Sequence, residues 1–226
     1  MLDTLAKIDG DIFLWFNGHT CDYVDSFFWM FSGKIVWAGL YAAIIVALFR
    51  RFGWRVAVGM LIGIGIIIAL SDQICGNFAR HTFERLRPSN PMNPFSEFVH
   101  VVNGYRGGPY GFPSCHAANS FALATFVMLV FRYRWLTVAM YLWALLTAYS
   151  RLVLGVHYPG DLFVGALVGS LVAWLTYVAC RMVYRRRFSG RPGFADGLHP
   201  ELKGECQWLI IGAMAATIAI MAMMAI

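Results

Sequence analysis

Three short polar clusters interrupt an otherwise apolar chain, and each holds residue types suited to handling phosphate. The first, "RHTFERLRP", sets Arg80 seven residues before Arg87, with Pro88 next. Seven residues is about two helical turns, so both guanidiniums can project from one helix face. Guanidinium suits bidentate contact with phosphate oxygens, and the proline favours an end to that helix. The second cluster, "GFPSCH", opens an apolar run. Unsatisfied amides and the positive end of the helix dipole make such a start an anion site. Ser114 can add a donor, the Cys115 amide another, and His116 can hand a proton to a leaving oxygen. The third, "SRLVLGVHYPGD", carries Ser150, Arg151, His157 and Asp161. His157 and Asp161 meet across one turn if a helix begins near Tyr158-Pro159. A carboxylate bonded to one ring nitrogen fixes the tautomer and leaves the other nitrogen free as a nucleophile.

Each cluster also has a plain structural reading. The arginines could snorkel at a membrane flank, Ser114 could merely cap its helix, and His157 could be an interfacial histidine beside a capping aspartate. Together they say more. Arg-x6-Arg-Pro, Pro-Ser-x-His and Ser-Arg-x5-His-x3-Asp occur in this order over residues 80–161. The set resembles the type 2 phosphatidic acid phosphatase superfamily, whose pattern is Lys-x6-Arg-Pro, Pro-Ser-Gly-His and Ser-Arg-x5-His-x3-Asp. Two positions depart from it: Arg80 stands where the family usually has lysine, and Cys115 where it has glycine. The first keeps the charge and changes donor geometry; the second puts a side chain beside the anion site.

The resemblance implies a metal-independent, cofactor-free phosphatase acting on a lipid phosphate. His157 would attack phosphorus, Asp161 would orient it, and His116 would protonate the leaving oxygen. Arg80, Arg87, Ser114, Cys115 and Arg151 would hold the other phosphate oxygens. The superfamily's vanadium haloperoxidases share a similar oxyanion site, but they are soluble, and the apolar spans argue against that reading.

The elements that must position these clusters are membrane helices. Of the 226 residues 59% are hydrophobic and 13% charged, against about a quarter charged in a soluble domain. A span needs about 20 apolar residues. Six segments qualify, roughly 34–49, 54–79, 116–131, 135–154, 160–183 and 207–226. The expected fold is an all-α polytopic bundle of about six spans forming one unit over 1–226. Its motif-bearing core is about 34–183, with 207–226 an extra C-terminal helix. The stretch 1–31 is aromatic but broken by polar residues, and reads as a pair of interfacial helices. "GMLIGIG" and "GALVGS" place small residues four apart, which lets helices approach closely.

The net charge of +6 reflects membrane flanks rather than nucleic acid. The links 50–55, 132–134 and 181–193 are basic, so they should face the cytosol. The three clusters then lie together on the opposite side. Arg80, Arg85, Arg87 and Arg106 break the positive-inside pattern there, which points to another task for them. In the loop 89–112, Glu97, His100 and Arg106 are candidate head-group contacts. Asp72, costly in lipid, calls for a structural hydrogen bond or a contact to an active-site arginine. The five cysteines form no disulfide framework or metal motif.

These readings converge on an integral-membrane lipid phosphatase, with no obligatory protein partner, in a bacterial inner membrane and with its site facing the periplasm or outside. Undecaprenyl diphosphate, phosphatidylglycerophosphate and lipid A are the substrate candidates. Interception of the phosphohistidine by a hydroxyl would make the protein a phosphotransferase instead. A transporter or scaffold is the alternative from another class.

Overall fold

The computed structural model describes residues 2–187 and 200–226. Helices dominate it. Two N-terminal helices, α1 (Leu2–Gly18) and α2 (Asp22–Phe31), precede a 3-10 turn that leads into α3 (Ala38–Phe52). Then come α4 (Trp54–Asp72), α5 (Arg80–Phe83), α6 (Cys115–Phe131), α7 (Arg134–Val153), α8 (Pro159–Arg187) and α9 (Lys203–Met224). Among the described residues, five helices are long and apolar enough to cross a membrane: Ile35–Phe52, Trp54–Phe83, Arg134–Val153, Pro159–Arg186 and Gly204–Met224. The sixth expected span is the shorter apolar helix Cys115–Phe131. Residues 188–193 of the expected basic link 181–193 lie outside the described residues.

Close approach of α6 and α8 organises the centre. A Cβ on Gly165 or Gly169 would collide with the carbonyl oxygens of Ser114 and Ala118 respectively. Only glycine lets these two helices meet there, so the "GALVGS" spacing does pack a helix pair. In "GMLIGIG" one glycine does so: a Cβ on Gly63 would stand 3.1 Å from Cys180 Sγ, whereas Gly59 and Gly65 face open space. The core around these helices is aliphatic and aromatic, with Leu40, Phe52, Met60, Phe126, Phe131 and Leu136 fully buried.

The helix ends at one side of the bundle are capped by named side chains. α7 stops in a Schellman motif: Gly155 takes φ +73°, its N–H donates to Leu152 O at 3.0 Å, and Val156 N–H donates to Arg151 O at 3.1 Å. Asn17, fully buried, donates from Nδ2 to Leu152 O and Val153 O, which ties α1 to the same terminus. At the start of α8, Pro159 occupies the first helical position and Asp161 Oδ2 accepts from Tyr158 N–H at 3.0 Å. Ser114 caps α6 by accepting from Ala117 N–H at 3.4 Å. The α6 and α8 N-termini are joined by Ser114 N–H donating to Asp161 O at 3.0 Å.

Candidate active site

Those capped ends bring the three clusters to one place. His157 follows the Schellman turn, only 1% exposed. Its Nε2 is 2.9 Å from Arg87 Nη1. Guanidinium can only donate, so Nε2 is the acceptor and the ring proton sits on Nδ1. Nδ1 in turn faces Asp161 Oδ2 at 3.4 Å, a charge contact that falls short of a hydrogen bond. Burial, then the charges of Arg87, Arg151 and Arg80, pushes the His157 imidazole well below its usual range. The ring is therefore neutral at pH 7, with its lone pair on Nε2 directed at Arg87.

The expected helical face for Arg80 and Arg87 is not what forms. The helix carrying Arg80 ends at Phe83, because Glu84 adopts the left-handed conformation, φ 45°. Residues 85–87 run extended instead: Leu86 bridges to Tyr110, Gly111 N–H donates to Arg85 O, and Arg87 N–H donates to Pro109 O. In an extended segment residues two apart share a side. Arg85 and Arg87 thus point the same way, Arg87 to His157 and Arg85 to Asp161 Oδ1 at 2.7 Å. The chain reversal before Pro88, rather than two helical turns, brings Arg87 to the site.

Arg87 and Arg151 are 6% and 3% exposed. Burial first, then the like charges of Arg80 and Arg151, lowers the Arg87 guanidinium to about 10. The Nε–H groups of Arg80, Arg87 and Arg151 are all buried with no protein acceptor. Three cations held this close repel one another, and a shared oxyanion relieves that cost. The positive N-termini of α6 and α8 act in the same direction. His116 opens α6 within electrostatic reach of Arg151, His157, Lys34 and Arg87. The Cys115 thiol accepts from Arg80 Nη2 at 3.3 Å. The site can therefore hold a tetrahedral anion between arginines, a neutral imidazole and a second histidine.

Other candidate residues have different partners. Ser150 Oγ donates back to Thr147 O at 2.7 Å. His100 Nε2 pairs with Asp25 at 2.6 Å and Arg106 Nη1 donates to Ser89 O at 2.5 Å, while Glu97 is exposed. These bonds tie the 89–112 loop to α2 and to itself. Asp72 has the expected structural partner: Asn119 Nδ2 donates to its Oδ1 at 2.8 Å. Two residues absent from the expected site adjoin it. Arg85 Nη2 meets Asp9 Oδ2 at 2.6 Å, and Asp9 Oδ1 accepts from Gly160 N–H at 2.8 Å. Burial pulls the Arg85 guanidinium down, but the Asp161 charge and the Asp9 contact outweigh it, and Arg85 is held above its usual range. Arg85 was visible in the sequence only as another cation on the unexpected side of the membrane. Asp9 gave no signal.

A cavity of about 420 Å³ runs from this end into the bundle. Cys115, His116, Asp72 and Asn119 line it together with Ile44, Ile64, Leu123 and Trp143, and half-exposed Tyr41, Ile45 and Ile68 lie along its side. Among the described residues no three His, Cys, Asp or Glu side chains converge as a metal site.

A family model described as the PAP2 superfamily matches residues 60–185. A lipid A 4'-phosphatase of Bacteroides thetaiotaomicron is 45% identical over 192 residues, covering 85% of each chain. A lipid A 4'-phosphatase of Porphyromonas gingivalis is 31% identical, covering 78% of this chain and 74% of that one. The crystal structure of Aquifex aeolicus LpxE superposes with a TM-score of 0.56 at 24% identity, over 74% of this chain and 92% of the other.

Proposed function

The chain belongs to the PAP2 superfamily, and on that premise we propose that it removes a phosphate from a lipid A-type glycolipid through a phosphohistidine on His157. It is an integral-membrane phosphatase of this class. The substrate class rests on the two lipid A 4'-phosphatases, each matched over most of its length. The observation that carries the mechanism is His157: a neutral imidazole, its proton on the Asp161 side, beside three guanidiniums.

In the first step the phosphate enters between Arg80, Arg87 and Arg151, and the Arg87 Nη1–H now on Nε2 turns to a non-bridging oxygen. The Nε2 lone pair forms a bond to phosphorus as the P–O bond to the sugar breaks, and His116, which takes up a proton from water once the phosphate charge offsets the arginines, gives that proton to the departing oxygen. Asp161 balances the positive ring. In the second step His116, now neutral, takes a proton from water. That water attacks phosphorus, the P–N bond breaks, and inorganic phosphate leaves with both histidines restored. Phosphoryl transfer needs mostly this positioning and charge stabilisation. The cavity beneath His116 suits an acyl chain that remains at bilayer depth while the phosphate reaches the arginines. The site lies at the end of the bundle opposite Arg50, Arg51, Arg132 and Arg134, which by the positive-inside rule turns it away from the cytosol.

The test is phosphate release from a lipid A-type disaccharide bisphosphate by purified protein in detergent, with no acceptor added. The expected result is inorganic phosphate and a product lacking the 4'-phosphate, with His157→Ala reducing turnover by about 10³-fold or more. Release of phosphate only from undecaprenyl diphosphate or phosphatidylglycerophosphate overturns the substrate. Unchanged turnover in His157→Ala overturns the mechanism.

A further inference from the structure

A chain of alternating charges at the site begins on the first helix and runs into two of the three clusters. Asp9 Oδ1 accepts from the Gly160 amide at 2.8 Å, and Asp9 Oδ2 pairs with Arg85 Nη2 at 2.6 Å. Arg85 Nη1 pairs with Asp161 Oδ1 at 2.7 Å, and Asp161 Oδ2 faces His157 Nδ1 at 3.4 Å. The Asp9, Arg85 and Asp161 side chains are 16%, 29% and 0% exposed, so solvent screens these charges only in part. The Arg85 guanidinium also lies over the Tyr158 ring, 4.1 Å from its centroid. Glycine at 160 is part of the fit: a Cβ there would stand 2.9 Å from Asp9 Oδ2.

We infer that Asp9 and Arg85 are positioning residues for phosphoryl transfer, acting through Asp161 on His157. This rests on the phosphohistidine reading above. Arg85 alone would fix the Asp161 carboxylate in place but would cancel its charge just when the phosphorylated imidazole needs a counter-ion. Asp9 resolves that conflict by neutralising Arg85. The chain Asp9⁻, Arg85⁺, Asp161⁻ then carries one net negative charge to balance the positive ring. Helix α1, outside the residues 60–185 matched by the family model, thereby completes the catalytic apparatus.

The decisive variant is Asp9→Asn. It keeps the side-chain shape and one acceptor oxygen, for Gly160 N–H, while the position facing Arg85 becomes an amide donor and the charge is lost. We expect kcat to fall about tenfold with KM within about twofold, since the missing term acts on the charged intermediate rather than on binding. Asp9→Glu restores the charge and should recover part of the rate. Asp9→Asn with Arg85→Gln returns the net charge to minus one, so the double variant should be no slower than the worse single variant. If Asp9→Asn does not fold, as judged by gel filtration and circular dichroism, Arg85→Gln carries the test. It should lower kcat with KM little changed, because Asp161 loses its anchor. Wild-type turnover with unchanged kcat in the folded Asp9→Asn or Arg85→Gln protein overturns this inference alone. Wild-type protein that releases no phosphate, or full activity in His157→Ala, overturns the phosphohistidine reading beneath it.

Discussion

Arg51 and Arg87 are both arginines buried in an apolar bundle, at 1% and 6% exposure, yet their surroundings differ. Arg51, at the end of α3 away from the site, donates from Nη1 to Phe131 O at 3.0 Å, which caps the last turn of α6. Its guanidinium lies 5.0 Å and 5.5 Å from the Phe52 and Phe131 ring centroids. Carbonyl oxygen and aromatic faces are what a desolvated cation needs from a fold. Arg87 instead faces two further guanidiniums, and its bonds go to a backbone oxygen and to a neutral histidine. Among the described residues none of the three forms an ion pair with a carboxylate, and Asp161, the carboxylate whose charge reaches Arg87, is paired with Arg85. A fold that keeps like charges together holds them for a ligand, whereas Arg51 lies against a carbonyl and two rings.

The contrast can be broken at either arginine. Arg87→Gln should have the largest effect on activity, lowering kcat/KM by about 100-fold or more, because it removes a donor aimed at developing phosphate charge. The same change relieves repulsion, so the melting temperature in detergent should hold or rise, and the rise induced by added phosphate should shrink. A clear drop in stability with retained turnover would place Arg87 in the same class as Arg51. Arg51→Ala should do the reverse: a loss of about 2 kcal/mol or more from the uncapped carbonyl and lost stacking, with kcat unchanged in the protein that folds. Reduced kcat at full stability would show that the far end of the bundle communicates with the site.

The smallest effect sharpens the comparison through His157. Its folded-state value lies well below the unfolded value of about 6.5. The unfolded chain therefore binds the extra proton first, and stability falls as pH drops below about 6.5, by up to about 1.4 kcal/mol per pH unit. His157→Gln should remove that contribution, as read from melting temperatures between pH 7 and pH 5. An identical slope in the variant would mean that His157 is not held neutral by burial and the arginines.

The clusters "RHTFERLRP", "GFPSCH" and "SRLVLGVHYPGD" were legible because spacing within one short segment is local information. Helix caps and turns act over a few residues, so Ser114, Pro159 and Asp161 declare themselves in one dimension. Hydropathy declared the spans for a similar reason, since about 20 apolar residues in lipid can satisfy their backbone only as helix. The reversal at Glu84 was not legible. Heptad-like spacing of Arg80 and Arg87 suits a helix equally well, and only pairing of 85–87 with 109–111 decides for extended chain. Arg51 read as a solvated flank, because nothing nearby in sequence announces the Phe131 carbonyl 80 residues away.

By itself the sequence determined the helices, their caps and the residue types that can hold and attack a phosphate. Tertiary structure alone decided which charges are paired. Arg85 meets Asp161 on one side and Asp9 on the other, each across 76 residues. A Coulomb interaction depends on separation in space and on burial, and neither quantity is encoded by distance along the chain.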